Sequence, residues 1–173
     1  RNSMDFSKLS ERLMQLDLGM TADNVEIDVL WFRAMVCEGA FCISRHMHSS
    51  FEFHYVYEGE CRVVLDSGSF VARANEFYLT GPGVYHRQES DGGRHIELSI
   101  NCDLKVLSDC ETELLYLCRV FVNSPCRAYM DSYGCLSIFL RAFSEVELRE
   151  PGYFSNIKCL VLELLTASAR AMN

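Results

Sequence analysis

The chain has 173 residues, of which 49% are hydrophobic and 23% are charged, values that are typical of one globular domain rather than of a disordered chain. Lys and Arg total 16 against 24 Asp and Glu, which gives a net charge of -8 at pH 7. Because that charge repels phosphate, the chain by itself is a poor candidate for nucleic-acid binding.

The first predicted element covers residues 4–20, where Phe6, Leu9 and Leu13 have the spacing of one helix or of an arm. From Val25 onward the pattern changes to short β-type runs that are separated by turn residues. The runs cover residues 27–36, 41–48, 51–57, 61–65, 70–74, 76–79 and 95–100. Their spacing favours an antiparallel sandwich or barrel over βαβ units.

After Asp109 the hydrophobic period becomes helical. Apolar residues share one helical face within each of three later segments: Leu114, Leu115, Cys118 and Phe121; Leu136, Phe139, Leu140, Phe143 and Val146; and Ile157, Leu160, Val161, Leu164 and Leu165. Pro151 and Gly152 separate the last two helices. We therefore predict an α+β protein in which residues 4–110 form an antiparallel β-barrel with the N-terminal arm or helix, and residues 111–173 form a helical hairpin.

The nine cysteines are scattered and include no CxxC pair, a pattern that indicates reduced thiols and predicts a cytoplasmic location. The most apolar late stretch, residues 157–171, carries Lys158, Glu163 and Arg170. Because these charges are costly in hydrocarbon, we expect no membrane partner.

A candidate site comes from one β-type run. His46, His48, Glu52 and His54 have the same parity, so their side chains point to the same face unless a bulge intervenes. The later sequence GPGVYH places His86 after a tight bend that would aim its imidazole at the same place. Imidazoles with one carboxylate suit a divalent transition metal, and they equally suit hydrogen bonds to a polar small molecule. The residues alone leave both alternatives open.

These motifs resemble those of a known superfamily. The run from His46 to Gly59, with H-x-H, a Glu after three further residues and a Gly after six more, resembles the first cupin motif. GPGVYH is similar to the second cupin motif, with His86 as the last ligand and Gly81 at the usual proline position. Residues 45–90 resemble the amino-terminal sensor domain of AraC-family transcriptional regulators, and YFSNIKCLVLELLTASAR is similar to the second linker helix of that family.

The resemblance implies a cupin-like barrel of the jelly-roll type that binds a small effector, and it implies that the strand with His95 and Glu97 contributes to the pocket. A solvated polar face would explain the same alternation in that strand. The candidate ligand-binding residues are His46, His48, Glu52, His54, His86, Gln88, His95 and Glu97. Their polarity favours a sugar or a sugar acid. Most members of the family are metal-free sensors, so no cofactor is required, although His46, His48, Glu52 and His86 remain candidate ligands for a divalent transition metal.

The resemblance also implies a homodimer, with the dimer contact on the last helix. There Ile157, Val161, Leu164 and Ser168 follow a spacing of three or four and form a narrow seam. Family members continue into two helix-turn-helix motifs, whereas this chain stops at Asn173. We therefore expect the DNA-binding domain to be absent from this chain and DNA to be contacted only through that domain.

Two functions follow from these features. The first is the effector-sensing and dimerisation domain of a bacterial AraC-family transcriptional regulator, which needs no catalytic residue. The alternative is a small metal-dependent cupin enzyme, an isomerase or a dioxygenase. The helical segment favours the regulator, since an enzyme of this kind needs only the barrel.

Overall fold

A computed structural model describes residues 4–173 of the chain. Its elements are α1 (Phe6–Met14), β1 (Met20–Ala22), β2 (Val25–Cys37), β3 (Phe41–His46), β4 (Phe51–Glu58), β5 (Glu60–Leu65), β6 (Gly68–Arg73), β7 (Glu76–Thr80), β8 (His86–Ser90), β9 (His95–Val106), α2 (Glu113–Asn123), β10 (Tyr129–Met130), α3 (Cys135–Leu148) and α4 (Tyr153–Met172).

The strands form two antiparallel sheets. Sheet A has the order β1-β2-β9-β4-β7-β10, and sheet B has the order β3-β8-β5-β6. The chain passes repeatedly from one sheet to the other, since β4 and β7 belong to sheet A whereas the intervening β5 and β6 belong to sheet B. This interleaving is typical of a jelly-roll-type barrel. The predicted α+β class, with an antiparallel barrel followed by helices, is confirmed.

The strands of sheet A alternate apolar and polar side chains, so the sheet has one apolar face and one polar face. Both faces are covered by other parts of the molecule. In β4, Phe53 and Tyr55 belong to the large hydrophobic core, whereas Glu52 and His54 contact each other on the opposite face. The buried polar residues of β9 are His95, Glu97, Ser99 and Asn101. The polar face of sheet A meets sheet B, and its apolar face meets the helices, so the molecule has three layers.

The helices pack on sheet A through aromatic and aliphatic side chains. The ring of Phe139 in α3 stacks on that of Phe32 in β2, with ring centroids 4.4 Å apart. The Tyr55 hydroxyl lies 2.6 Å from the Ser168 hydroxyl in α4, and both side chains are buried. The main hydrophobic core therefore lies between sheet A and the helices. The interior of the barrel holds the polar groups together with a smaller apolar cluster, Val56, Cys61, Val63, Ala72 and Tyr78.

The prediction that four side chains of the last helix form the dimer contact is wrong. Ile157, Val161, Leu164 and Ser168 each have 0% relative exposure within one protomer. They face sheet A and α3, because the apolar face of α4 covers the core rather than solvent. A two-fold contact cannot use these side chains unless they leave the core.

Most predicted strands are present, and the short strand β10 is an addition to them. The main further differences are as follows. Strand β8 was not predicted, because its sequence, HRQES, carries only polar side chains. The first helix is shorter than residues 4–20 and ends at Met14, since the chain then forms the short edge strand β1. Three helices rather than a simple hairpin follow the barrel.

Gly59 holds the tight turn between β4 and β5. Its φ is +82°, in the left-handed region, and a side chain there would overlap the backbone carbonyl oxygen of Arg94 at the start of β9. Gly83 has a φ of +76° but no atom within 4 Å of the same position. Close approach of two chain segments therefore requires glycine at Gly59, whereas only the backbone conformation favours it at Gly83.

Across residues 4–173, none of the helices combines the length and the hydrophobicity that a membrane span needs.

Candidate functional site

Four of the predicted residues meet at one side of the barrel interior, and we refer to His46, His48, Glu52 and His86 as the outer cluster. The rings of His46 and His86 are 4.2 Å apart between centroids, and those of His46 and His48 are 4.9 Å apart. The Nε2 atom of His48 lies 2.7 Å from Oε2 of Glu52. The structure thus brings together the end of β3, the start of β4 and the start of β8.

Two imidazoles of the outer cluster are oriented by backbone carbonyls. Nδ1 of His46 lies 2.8 Å from the carbonyl oxygen of Ser44, and Nδ1 of His86 lies 2.9 Å from that of Val84. In neutral rings, Nδ1 then carries the proton and Nε2 keeps its lone pair. The Nε2 atom of His86 is buried and has no hydrogen-bond partner. This atom is therefore free to accept a hydrogen bond or to bind a cation.

Burial favours the neutral form of two outer imidazoles, those of His86 and His48. It lowers the pKa of His86 from 6.5 to about 4, and the neighbouring His54 imidazole adds to the effect. Burial also lowers the pKa of His48, although the carboxylate of Glu52 opposes that shift. At neutral pH these two imidazoles therefore offer uncharged nitrogen atoms beside the Glu52 side chain.

His54 and Glu97 form a buried polar pair deeper in the barrel. Nδ1 of His54 lies 3.1 Å from Oε2 of Glu97, and its Nε2 lies 3.0 Å from Oγ1 of Thr80. Burial lowers the pKa of His54, but the carboxylates of Glu52 and Glu97 outweigh it, so the net shift is upward. Burial raises the pKa of Glu97, but His54 outweighs it and holds that pKa well below its usual range. Both shifts favour the charged form of the pair, and its polar atoms already have hydrogen-bond partners within the protein.

Gln88 and Tyr78 complete the surroundings of Glu97. Oε1 of Glu97 accepts hydrogen bonds from Nε2 of Gln88 at 3.0 Å and from the Tyr78 hydroxyl at 3.3 Å. His95 is the first residue of β9, is 1% exposed, and has no hydrogen-bond partner on either ring nitrogen. It does not join the outer cluster, so the eight predicted residues divide into an outer group and a deeper group.

A cavity of about 100 Å³ opens beside the outer cluster. Its lining residues are Trp31, Arg33, Met35, Ile43, His46, His48, Glu52, Gln88, Glu97 and Ser99. The lining includes five of the eight predicted residues; His54, His86 and His95 lie behind it. The binding role of all eight remains a prediction.

Sequence reasoning missed the contribution of β2. A bulge between Val29 and Trp31 reverses the alternation, so Trp31 and Arg33 face the cavity, with the Arg33 guanidinium carbon 4.5 Å from the Trp31 ring centre. The available signal was Arg33 itself, a charge inside the otherwise apolar run WFRAMV. Such a residue is expected to face a polar interior or solvent.

The outer cluster fits a divalent metal ion. Ligand atoms of His46, His48 and His86 lie within 4.8 Å of one another, as do those of Glu52, His54 and His86. Imidazole nitrogen and carboxylate oxygen are ligands of such ions, and the carbonyls that bind Nδ1 of two rings are typical partners of metal-binding histidines. The orphaned Nε2 of His86 is the atom that such an ion would satisfy.

Part of the chain is similar to known proteins, and that part holds the candidate site. Residues 38–107 match the family model described as the AraC-like ligand binding domain. The matched segment contains β3 to β9 and all eight candidate ligand-binding residues. No curated protein matches the chain.

Solved structures that are similar to part of the chain include two bacterial cupins. A cupin-2 domain containing protein from Shewanella frigidimarina is 20% identical and has a TM-score of 0.35, with 47% of this chain and 72% of that chain covered. A cupin superfamily protein from Desulfitobacterium hafniense is 14% identical and has a TM-score of 0.38, with 49% of this chain and 72% of that chain covered. The segment from β3 to β9 is thus similar to the AraC-like ligand binding domain.

Proposed function

We propose that the chain is the effector-sensing and dimerisation domain of a bacterial AraC-family transcriptional regulator, and that a small polar molecule binds in the cavity beside the outer cluster. One observation carries this proposal: two buried polar atoms lack hydrogen-bond partners, Nε1 of Trp31 in the cavity lining and Nε2 of His86 in the adjoining outer cluster. Folded proteins rarely leave such groups unpaired. A polar ligand would satisfy them.

The lining favours a hydroxy acid or a sugar acid. Arg33 places a cation at the rim of the cavity, where it can pair with a carboxylate. The carboxylate of Glu52 can accept a hydrogen bond from a ligand hydroxyl, and Nε2 of His86 can accept another. The small volume of the cavity favours a compact acid over a larger sugar.

Strand β4 offers a route from the ligand to the helices. Glu52 and His54 face the polar interior, whereas the alternating Phe53 and Tyr55 pack under the helical layer. A ligand that moves Glu52 therefore acts on a strand whose other face holds α4. Effector binding would shift the equilibrium between two arrangements of this layer, which the DNA-binding domain would detect.

We also propose a homodimer, since a regulator that binds paired half-sites needs two copies at fixed spacing. The contact must lie outside the buried face of α4. The exposed side of that helix carries Ser155, Cys159, Glu163 and Arg170. Sedimentation velocity over a wide concentration range tests the proposal, and a monomer at every concentration would contradict it.

The metal-dependent enzyme is a second candidate, favoured by the three convergent imidazoles of the outer cluster. His46, His48, Glu52 and His86 would hold the ion, which would supply Lewis-acid or oxygen chemistry to a substrate in the cavity. Arg33 would orient an acidic substrate in either case. Elemental analysis of protein purified without chelator or nickel resin tests this candidate, and much less than one equivalent of metal would exclude it.

A thermal-shift screen of sugar acids, hydroxy acids and sugars tests the sensing function. At about a hundredfold excess over Kd, a ligand that binds only the folded state adds about 2.7 kcal/mol, which corresponds to about 5 to 10 °C in Tm for a chain of this size. Glu52→Ala should abolish the shift, whereas Glu26→Ala removes an exposed carboxylate of the same sheet and should preserve it. A hit whose shift survives in Glu52→Ala would place binding elsewhere.

A further inference from the structure

A second group of ligand atoms lies deeper in the barrel, apart from the outer cluster. Atoms of Cys61 in β5 and of His95 and Glu97 in β9 lie within 4.8 Å of one another, and we refer to these three residues as the inner cluster. Their relative exposures are 2%, 1% and 4%. Of the three, Glu97 alone also borders the cavity beside the outer cluster.

The imidazole of His95 lacks a hydrogen-bond partner in the inner cluster. Both of its ring nitrogens are buried and neither has a hydrogen-bond partner. Nε2 of His95 lies 4.0 Å from Oε1 of Glu97, too far for a hydrogen bond. The ring packs against Phe41, with centroids 5.3 Å apart, but a buried imidazole without a hydrogen-bond partner is costly. A bound group would supply that partner.

We propose that the inner cluster is a zinc site, with Sγ of Cys61, Nε2 of His95 and Oε1 of Glu97 as its protein ligands. Thiolate sulfur, imidazole nitrogen and carboxylate oxygen are the three ligand types of zinc, and the thiolate disfavours magnesium and calcium. Ligand atoms of a tetrahedral zinc site are separated by about 3.4 Å. The three ligand atoms lie within 4.8 Å of one another. Small side-chain movements would therefore bring them to the separation that zinc needs.

The surroundings hold these ligands in place. Oε1 of Glu97 accepts hydrogen bonds from Gln88 and Tyr78, while its Oε2 pairs with His54. Such contacts orient metal ligands and strengthen metal binding. The Tyr78 hydroxyl or a water molecule would take the fourth position, which a site with three protein ligands leaves open.

Charge and access are both consistent with zinc. Burial and the nearby Glu97 carboxylate raise the pKa of the Cys61 thiol, so the thiol is protonated in the metal-free protein. Binding breaks the S–H bond, forms a sulfur–zinc bond and releases the proton to solvent. A surface cavity of about 120 Å³ reaches Cys61, and its lining includes the carboxylates of Glu60, Glu89 and Asp91. Those charges would attract a divalent cation.

Titration of the chain with Co²⁺ under reducing conditions tests the proposal, because cobalt bound by a thiolate has a near-ultraviolet charge-transfer band. We expect the band in the wild type and its loss in Cys61→Ser and His95→Gln, with binding at least about tenfold weaker. Cys126→Ser is the matched control, since this thiol packs against the same apolar cluster as Cys61, and it should keep the band. His86→Ala should also keep it, because the outer cluster contains no sulfur.

Absence of the band in the wild type, or its persistence in Cys61→Ser, would overturn the proposal. If Cys61→Ser fails to fold, anomalous diffraction from crystals grown with zinc decides the matter. A peak between the three ligand atoms supports the site, and zinc found only elsewhere refutes it. Neither result depends on whether an effector is identified.

Discussion

Replacing His86 should remove part of the acid sensitivity of the fold. His86 is fully buried in β8, and burial lowers its pKa from 6.5 to about 4. The unfolded chain therefore binds a proton at this residue near pH 6.5, whereas the folded chain does not. The stability that neutral His86 supplies is present above the unfolded pKa and is lost as the pH falls toward the folded pKa.

The magnitude follows from the two pKa values. The whole shift, from 6.5 to about 4, corresponds to about 3 kcal/mol. Between pH 7 and pH 5, His86 alone should lower the free energy of unfolding by about 2 kcal/mol. His54 acts in the opposite direction, because its raised pKa gives stability that is fully present below the unfolded pKa and lost as the pH rises through the folded pKa. The comparison therefore needs a variant that keeps His54.

Urea unfolding of chelator-treated wild type and His86→Gln at pH 7, 6 and 5 measures the effect. The wild type should lose about 2 kcal/mol more than the variant over this range. Chelation matters because a metal on His86 would also exclude the proton. Equal pH dependence in the two proteins would show that His86 is accessible to protons in the folded state and would refute the buried, neutral imidazole.

Three separate tests concern the fold. Gly59→Ala should cost at least about 2 kcal/mol of stability, because the new methyl group overlaps a backbone carbonyl. Gly83→Ala should cost about 1 kcal/mol, since only its backbone conformation favours glycine. Equal losses of stability in urea unfolding of the two variants would argue against the steric explanation. The double substitution Val161→Glu and Leu164→Glu should unfold the protomer, since it buries two charges in the core. Circular dichroism measures this loss of structure. A folded monomer would instead support the predicted dimer contact on α4. Tyr55→Phe should cost about 1 kcal/mol through loss of a buried hydrogen bond, and an unchanged melting temperature would argue against that bond.

The barrel and the polar face of β4 could be predicted because alternation in a strand is a local property. His48, Glu52 and His54 share a parity, and the structure places them on one face. Gly59 marked the turn correctly because its positive φ is a local conformation that favours glycine. Such features depend on residues that are adjacent in sequence, so they are visible without the fold.

The rest depends on packing between distant segments. The bulge that turns Arg33 inward has no signature in the spacing of residues, and β8 has no apolar side chain to reveal it. The apolar stripe of α4 is visible in sequence, but a stripe does not show whether it covers its own sheet or a second copy. Its burial against the core, with Val161 at 0% exposure, is a property of the folded protomer alone.

The central claim is that a small polar molecule binds at the outer cluster. The test is an NMR titration of the protein with an acid that raises its Tm. The imidazole resonances of the five histidines are followed as the acid is added. If the ligand binds at the outer cluster, the signals of His48 and His86 shift with the same Kd as the thermal effect, while any change at His95 is smaller. A titration that stabilises the protein and leaves the signals of His48 and His86 unchanged would contradict it.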